Sequence, residues 1–167
     1  TGAAEDVSAP VLALQDLSFG WPRGPTILDV PSFGVAAGEA VFLHGPSGCG
    51  KSSLLSLMAG VLLPRTGQVS LLGRNWADLR QVPRDRYRVD HVGYLFQQFN
   101  LLPYLRVLDN VLIPCRLSTR RRDAAIARSG SVRADAEAWL TGMGLAPSLW
   151  QRPALTLSVG QQQRVAA

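Results

Sequence analysis

An α/β fold is predicted by three consecutive observations in this 167-residue sequence. A short apolar run, Ala40-Val41-Phe42-Leu43-His44, suits a buried parallel strand. A glycine-rich stretch follows at once, and Lys51 to Ala59 then carries Leu54, Leu55, Leu57 and Met58 at helical spacing. Composition agrees with a packed protein: 47% of residues are apolar and 17% charged, which excludes a disordered tail. The length matches about one typical domain and leaves no room for a two-domain machine.

The elements can be justified in order. Val11 to Phe19 partly alternates apolar and polar residues, Gly20, Pro22, Gly24 and Pro25 mark a turn, and Ile27 to Val35 is a second strand-like run. The buried strand 40–44 and the helix 51–59 follow, with Gly60 through Pro64 as stop signals. Gln68 to Leu72 reads as a strand, Arg84 to Arg88 as a short polar helix or turn, and Val92 to Phe96 as another buried strand. From about Val107 to Met143 the pattern is helical, with expected breaks at Pro114 and at Ser129-Gly130.

Charge and cysteine usage exclude several functions. The balance of 17 basic and 12 acidic residues gives +5, but Arg120, Arg121 and Arg122 read as a solvated face, and no nucleic acid is expected as partner. Cys49 and Cys115 lack metal-ligand spacing and fit reduced thiols. No stretch approaches the roughly 20 apolar residues of a membrane helix, and Thr1 to Pro10 lacks the pattern of a signal peptide. Arginine stands at sixteen positions and lysine at one, Lys51, so the lone lysine asks for a reason.

Residues 45–52, Gly-Pro-Ser-Gly-Cys-Gly-Lys-Ser, supply that reason by fitting G-x-x-x-x-G-K-[ST], the phosphate-binding loop or Walker A motif. Gly45, Gly48 and Gly50 can adopt backbone angles closed to other residues, which lets the loop that also carries Pro46, Ser47 and Cys49 curl its available N–H groups around phosphate oxygens, Pro46 itself having none to offer. Lys51 brings a compact charge to the β- and γ-phosphates, Ser52 offers a hydroxyl to Mg²⁺, and Ser53 continues the helix start that points its positive end at the anion. A chance glycine-rich turn is the bland alternative. The position between an apolar strand and a helix favours nucleotide binding.

Two further motifs make the sequence resemble the ATP-binding subunit of ABC transporters over nearly its whole length. Val92-Gly93-Tyr94-Leu95-Phe96-Gln97-Gln98-Phe99-Asn100-Leu101-Leu102-Pro103 is similar to the family's Q-loop, and Leu157-Ser158-Val159-Gly160-Gln161-Gln162-Gln163-Arg164 is similar to the LSGGQ signature and its helix. The Phe-Asn-Leu-Leu-Pro wording is most similar to the branch serving lipoprotein release, macrolide export and cell division. The resemblance implies a P-loop NTPase fold of the ABC type, with an antiparallel β portion and an inserted helical subdomain. It implies 1–97 as β portion and phosphate-loop core, 98–157 as helical subdomain and 158–167 as signature and helix start.

It also implies ATP and Mg²⁺ as cofactors and a set of residue roles. Trp21 falls where the family stacks an aromatic on adenine, a contact of ~1–3 kcal/mol by analogy with base stacking; Phe19 competes for that role, and a tryptophan packed at a strand end is the bland reading. Gln97 would reach Mg²⁺ and the attacking water, making it with Lys51 the catalytic pair. Ser158, Gly160 and Gln161 would contact the γ-phosphate held by a second ATP-binding subunit, head to tail, although a serine there is also an ordinary N-cap. The implied partners are that second copy and an integral membrane permease, at the cytoplasmic face of a bacterial membrane.

Two departures from the family pattern matter. Val159 replaces the first glycine of the signature pair, which is costly if that position needs φ > 0 or close phosphate approach. None of the twelve acidic residues follows four apolar residues as Asp-Glu, and His44 and His91 lie too early to be the switch histidine, so no general base is assigned. The chain is therefore expected to be a fragment ending just after the signature, with the C-terminal part of the core missing, apolar edges uncovered, weak ATP affinity and no turnover of its own. Two rivals stay open for the whole protein, a weakly hydrolysing regulatory subunit and a soluble ABC-type ATPase acting on nucleic acid or ribosomes, whereas a small-molecule kinase sharing only the loop fails to explain Leu157 to Arg164.

Overall fold

The computed structural model describes residues 9–96 and 98–167. Two compact units divide between Arg88 and Val89, although the length is that of one typical domain. The first contains a four-stranded antiparallel sheet ordered β2-β1-β3-β4, from β1 (Leu12–Phe19), β2 (Leu28–Val35), β3 (Thr66–Leu71) and β4 (Arg74–Asn75). β1 pairs with β2 in continuous register from Leu12↔Val35 to Phe19↔Leu28. Toward β3 its register slips between Gln15 and Ser18, where Asp16 adopts φ 46°. That bulge lets Leu14, Leu17 and Phe19 all be buried, although Leu14 and Leu17 are three residues apart.

The helix α1 (Lys51–Met58) is fixed on this unit from its C-terminal end. Gly60 approaches Trp76 so closely that an added Cβ would lie 2.5 Å from the indole ring. Trp76 is fully buried and donates from Nε1 to the Met58 carbonyl at 3.1 Å, so one tryptophan closes the helix and fills the core beside Leu57 and Val69. The polar helix expected at 84–88 is longer, α2 (Gln81–His91).

The second unit is helical: α3 (Val107–Leu117), α4 (Thr119–Ser129), α5 (Val132–Gly142) and α6 (Val159–Ala166). Val107, Leu108, Ala136, Leu140, Leu145, Leu157 and Val165 form its core. Ser118 and Ser131 cap α4 and α5 by accepting from the Arg121 and Ala134 N–H groups, and Gly130 at φ 77° ends α4. Asp135 is buried at the α4–α5 turn, where Arg128 donates two bonds at 2.7 and 2.9 Å and Ser129 a third at 2.8 Å.

Four expectations need correction. Residues 40–44 and 92–96 are not strands: among the described residues neither run has a ladder partner, and a parallel strand exists only through its neighbours. Val41, Phe42, Leu95 and Phe96 are accordingly exposed. The break expected at Pro114 falls at Ser118 instead, because a proline one turn from a helix end forfeits a single bond and the Ser118 N–H still reaches the Pro114 carbonyl at 3.0 Å. Arg121 is not merely solvated. It donates to the carbonyls of Val89 and Val92 at 2.6 and 3.0 Å.

Candidate functional site: a phosphate cradle and a capped helix start

The loop 45–50 is held between β2 and α1. Gly50 is the N-cap of α1 at φ 94°, and a Cβ there would meet Leu28 Cδ2 at 2.8 Å and Ile27 Cγ2 at 3.1 Å, so both conformation and space require glycine. Gly48 also has positive φ, at 82°. Gly45 does not share that geometry; a Cβ there would meet only the Cys49 side chain, with Sγ at 2.8 Å.

Lys51 folds back over the loop. Its ammonium donates to the Gly45 and Pro46 carbonyls at 2.7 Å each and lies 3.7 Å from Cys49 Sγ. Ser47, Gly48, Gly50, Lys51, Ser52 and Ser53 line a concavity of about 210 Å³. No side chain caps α1, and its first turn carries no acid, so the N–H groups and positive end of the helix dipole face this concavity without an internal anion. The donor set of one ammonium, three serine hydroxyls and open N–H groups fits a polyphosphate. Exposed Ser52 supplies the oxygen suited to a hard cation beside it.

Trp21 and Phe19 are now distinguished. Phe19 is 5% exposed and Trp21 50%, with the rings edge to face at a centroid distance of 5.4 Å. Phe19 therefore belongs to the core, while Trp21 packs against it and stays half exposed. Arg65 was missed in the sequence. Its guanidinium donates to the Trp21 carbonyl and, at 2.9 Å, to the Gly24 carbonyl, fixing the turn that carries the indole.

In the helical unit, Gln97 lies outside the described residues. The segment after it is held by Asn110, a second residue without a sequence signal beyond a polar side chain among apolar helix neighbours. Its Oδ1 accepts from the Leu102 N–H at 2.8 Å, and its Nδ2 donates to the Leu102 and Arg106 carbonyls at 3.1 Å. Phe99 and Asn100 have φ 53° and 48°, a strained pair just before this clamp.

Ser158, Gly160 and Gln161 meet at the start of α6. Ser158 is the N-cap at φ −64°, ψ 157° and forms a reciprocal capping box with Gln161. Val159 lies in the first helical position with no positive φ, 70% exposed, which removes the backbone ground for its cost. Gly160 is exposed, and nothing lies within 4 Å of a Cβ added to it.

With this geometry in view, comparison with known proteins is decisive. Residues 28–167 match the family described as ABC transporter. The chain belongs to the ABC transporter family. An uncharacterized ABC transporter ATP-binding protein of Mycobacterium tuberculosis is 38% identical over 161 residues, covering 96% of this chain and 46% of that protein. The ABC transporter ATP-binding protein YbbA of Escherichia coli is 42% identical over 132 residues, covering 79% of this chain and 54% of that protein. The chain thus spans about half the length of the curated relatives it matches. A dimeric, post-hydrolysis structure of the ATP-binding cassette MJ0796 with ADP and Pi superposes with a TM-score of 0.79 at 32% identity, over 93% of this chain and 66% of that one. The cbiO1 structure from Clostridium perfringens, at 22% identity and a TM-score of 0.71, shares the fold. The fold of this ABC chain is that of a P-loop ATP-binding cassette.

Proposed function

We propose that the protein is the ATP-binding subunit of a transporter, binding Mg²⁺-ATP at the cradle of residues 45–53 and coupling its hydrolysis to an integral membrane permease. The observation that carries the reading is the uncapped, acid-free start of α1 behind the Gly48–Gly50 loop, with Lys51 folded over it. Lys51 would leave two carbonyls for the β- and γ-phosphates, the loop N–H groups would hold the phosphate chain, and Ser52 would hold Mg²⁺ with Gln97. Mg²⁺, when bound, neutralises charge on the phosphate oxygens and orders them for attack by water. Trp21, half exposed, would stack on adenine. We assign residues 98–157 to the inserted helical subdomain and 158–167 to the signature element, whose exposed Ser158 and Gly160 face a nucleotide held by a second, head-to-tail copy.

The dimeric MJ0796 cassette supports that pairing. No helix among the described residues is long and apolar enough to cross a membrane, which suits a subunit bound to a permease at the cytoplasmic face. The Phe99-Asn100-Leu101-Leu102-Pro103 segment favours the lipoprotein-release, macrolide-export and cell-division branch. A weakly hydrolysing regulatory subunit is the second reading, favoured by the isopropyl group that Val159 places at the signature. Calorimetric titration of the full-length protein with Mg²⁺-ATP tests the main reading. Lys51→Ala should weaken binding about tenfold or more, on the order of 1.4 kcal/mol, and unchanged affinity would refute the cradle. Val159→Gly separates the two readings, because an equal, robust turnover rate in both proteins excludes the regulatory one.

A further inference from the structure

Gln161 was expected to touch the nucleotide of the opposite subunit, yet its side chain is committed to the start of its own helix. Its Oε1 accepts from the Ser158 N–H at 3.0 Å, while Ser158 Oγ accepts from the Gln161 N–H at 3.4 Å. The neighbouring Gln162 donates from Nε2 to the carbonyl of Leu157 at 3.0 Å, and Leu157 is buried in the helical core. Three side-chain bonds thus fix the angle at which the chain enters α6.

The consequence lies in what the cap leaves over. The first N–H groups of a helix have no partner inside it. The box takes up those of Ser158 and Gln161, so those of Val159 and Gly160 remain at the exposed tip. A hydroxyl that accepts from Gln161 still has its own proton to donate outward. The donors offered to an anion are then the Ser158 O–H and two backbone N–H groups, aimed along a helix dipole.

We propose that Gln161 is a positioning residue: it completes the capping box that holds Ser158 and the first N–H groups toward the phosphate of the facing subunit, and does not bind that phosphate itself. The role needs an acceptor at the end of a glutamine-length side chain, which glutamate also supplies. A direct contact would instead use the amide as donor, and glutamate would then set a negative charge against phosphate.

The inference rests on the proposed two-subunit sandwich, and the test separates the two. In full-length protein, backbone hydrogen exchange across residues 157–164 is measured without nucleotide, and association is measured by light scattering with Mg²⁺ and a non-hydrolysed ATP analogue. Gln161→Glu should match wild type in both. Gln161→Ala and the similarly sized Gln161→Met should exchange about fivefold faster at Ser158 and Gln161, the size of a lost cap, and associate correspondingly less. Gln161→Glu that keeps its protection but associates as poorly as Gln161→Ala overturns the proposal in favour of direct contact. Gln161→Ala that matches wild type in both measurements overturns it as well. Wild type that never associates refutes the sandwich, and this role with it, whatever the exchange data show.

Discussion

Lys51 is the residue whose chemistry constrains the site most closely. Its ammonium sits between two carbonyls at 2.7 Å, a space suited to a compact charge on a flexible stem and not to the planar guanidinium fork. The sixteen arginines elsewhere make the contrast internal to this chain. Lys51→Arg should therefore bind ATP nearly as poorly as Lys51→Ala, and restoration of affinity by arginine would overturn the argument. The two cysteines differ just as clearly. Cys49 is exposed in the loop, whereas burial, reinforced by the Asp135 charge, pushes the Cys115 thiol up. N-ethylmaleimide should label Cys49 first, and Mg²⁺-ATP should slow that labelling but not the labelling of Cys115, as peptide mass spectrometry can establish. Asp135 gives a pH signature. The hydrogen bond from Arg128, aided by Ser129, holds its carboxyl below the usual carboxylate range against the opposing effect of burial. A lowered folded value means stability that is present above the ordinary carboxylate pKa and lost as pH falls through the folded one. Urea unfolding should show Asp135→Asn weaker than wild type at neutral pH, with the gap closing in acid; a gap that widens there would contradict the assignment.

At the scale of elements, legibility followed the range of the bonds that define each one. β1 and β2 could be read because they pair with each other across a turn marked by Gly20, Pro22, Gly24 and Pro25, while β3, which pairs with β1 from far along the chain, was legible from its own strand-like composition. Residues 40–44 and 92–96 have the composition of buried strands, but a parallel strand takes its identity from flanking strands that no local pattern specifies. The helix boundaries at Gly60 and Gly130 were legible as glycine stops, whereas Pro114 misled because its cost depends on how much helix follows. β4 escaped notice since it has only two residues, turned by Leu72 and Gly73 at φ 49° and 75°. The caps make a local prediction: Ser131→Ala removes the acceptor of the Ala134 N–H and should cost ~1 kcal/mol in chemical denaturation. An effect below a few tenths of that would mean water replaces the cap.

Across the whole molecule, the candidate site splits into a part written in consecutive residues and a part that folding assembles. The cradle was legible because its glycines, lysine and serines fall within residues 45–53, where spacing alone dictates a loop opening onto a helix. Arg65 and Asn110 were not, because each acts by binding carbonyls of a separate loop, and neither has a motif around it. The same distinction explains the apolar surface. Phe42 is 87% exposed next to Val41, so most of the ~1.5–3 kcal/mol that burial of such a side chain contributes is unrealised in this chain. Exposed aromatic and aliphatic groups of this kind drive association. The 167-residue chain should bind an apolar dye and scatter light increasingly with concentration, and replacing Val41 and Phe42 together by serine should reduce both signals. The two residues make no strand pairing among the described residues, so the double substitution should leave the denaturation midpoint of the β1–β4 sheet nearly unchanged. A large fall in that midpoint would show that Phe42 contributes to the core after all, and a chain that stays monomeric and dye-free at high concentration would show that the apolar run is covered in solution.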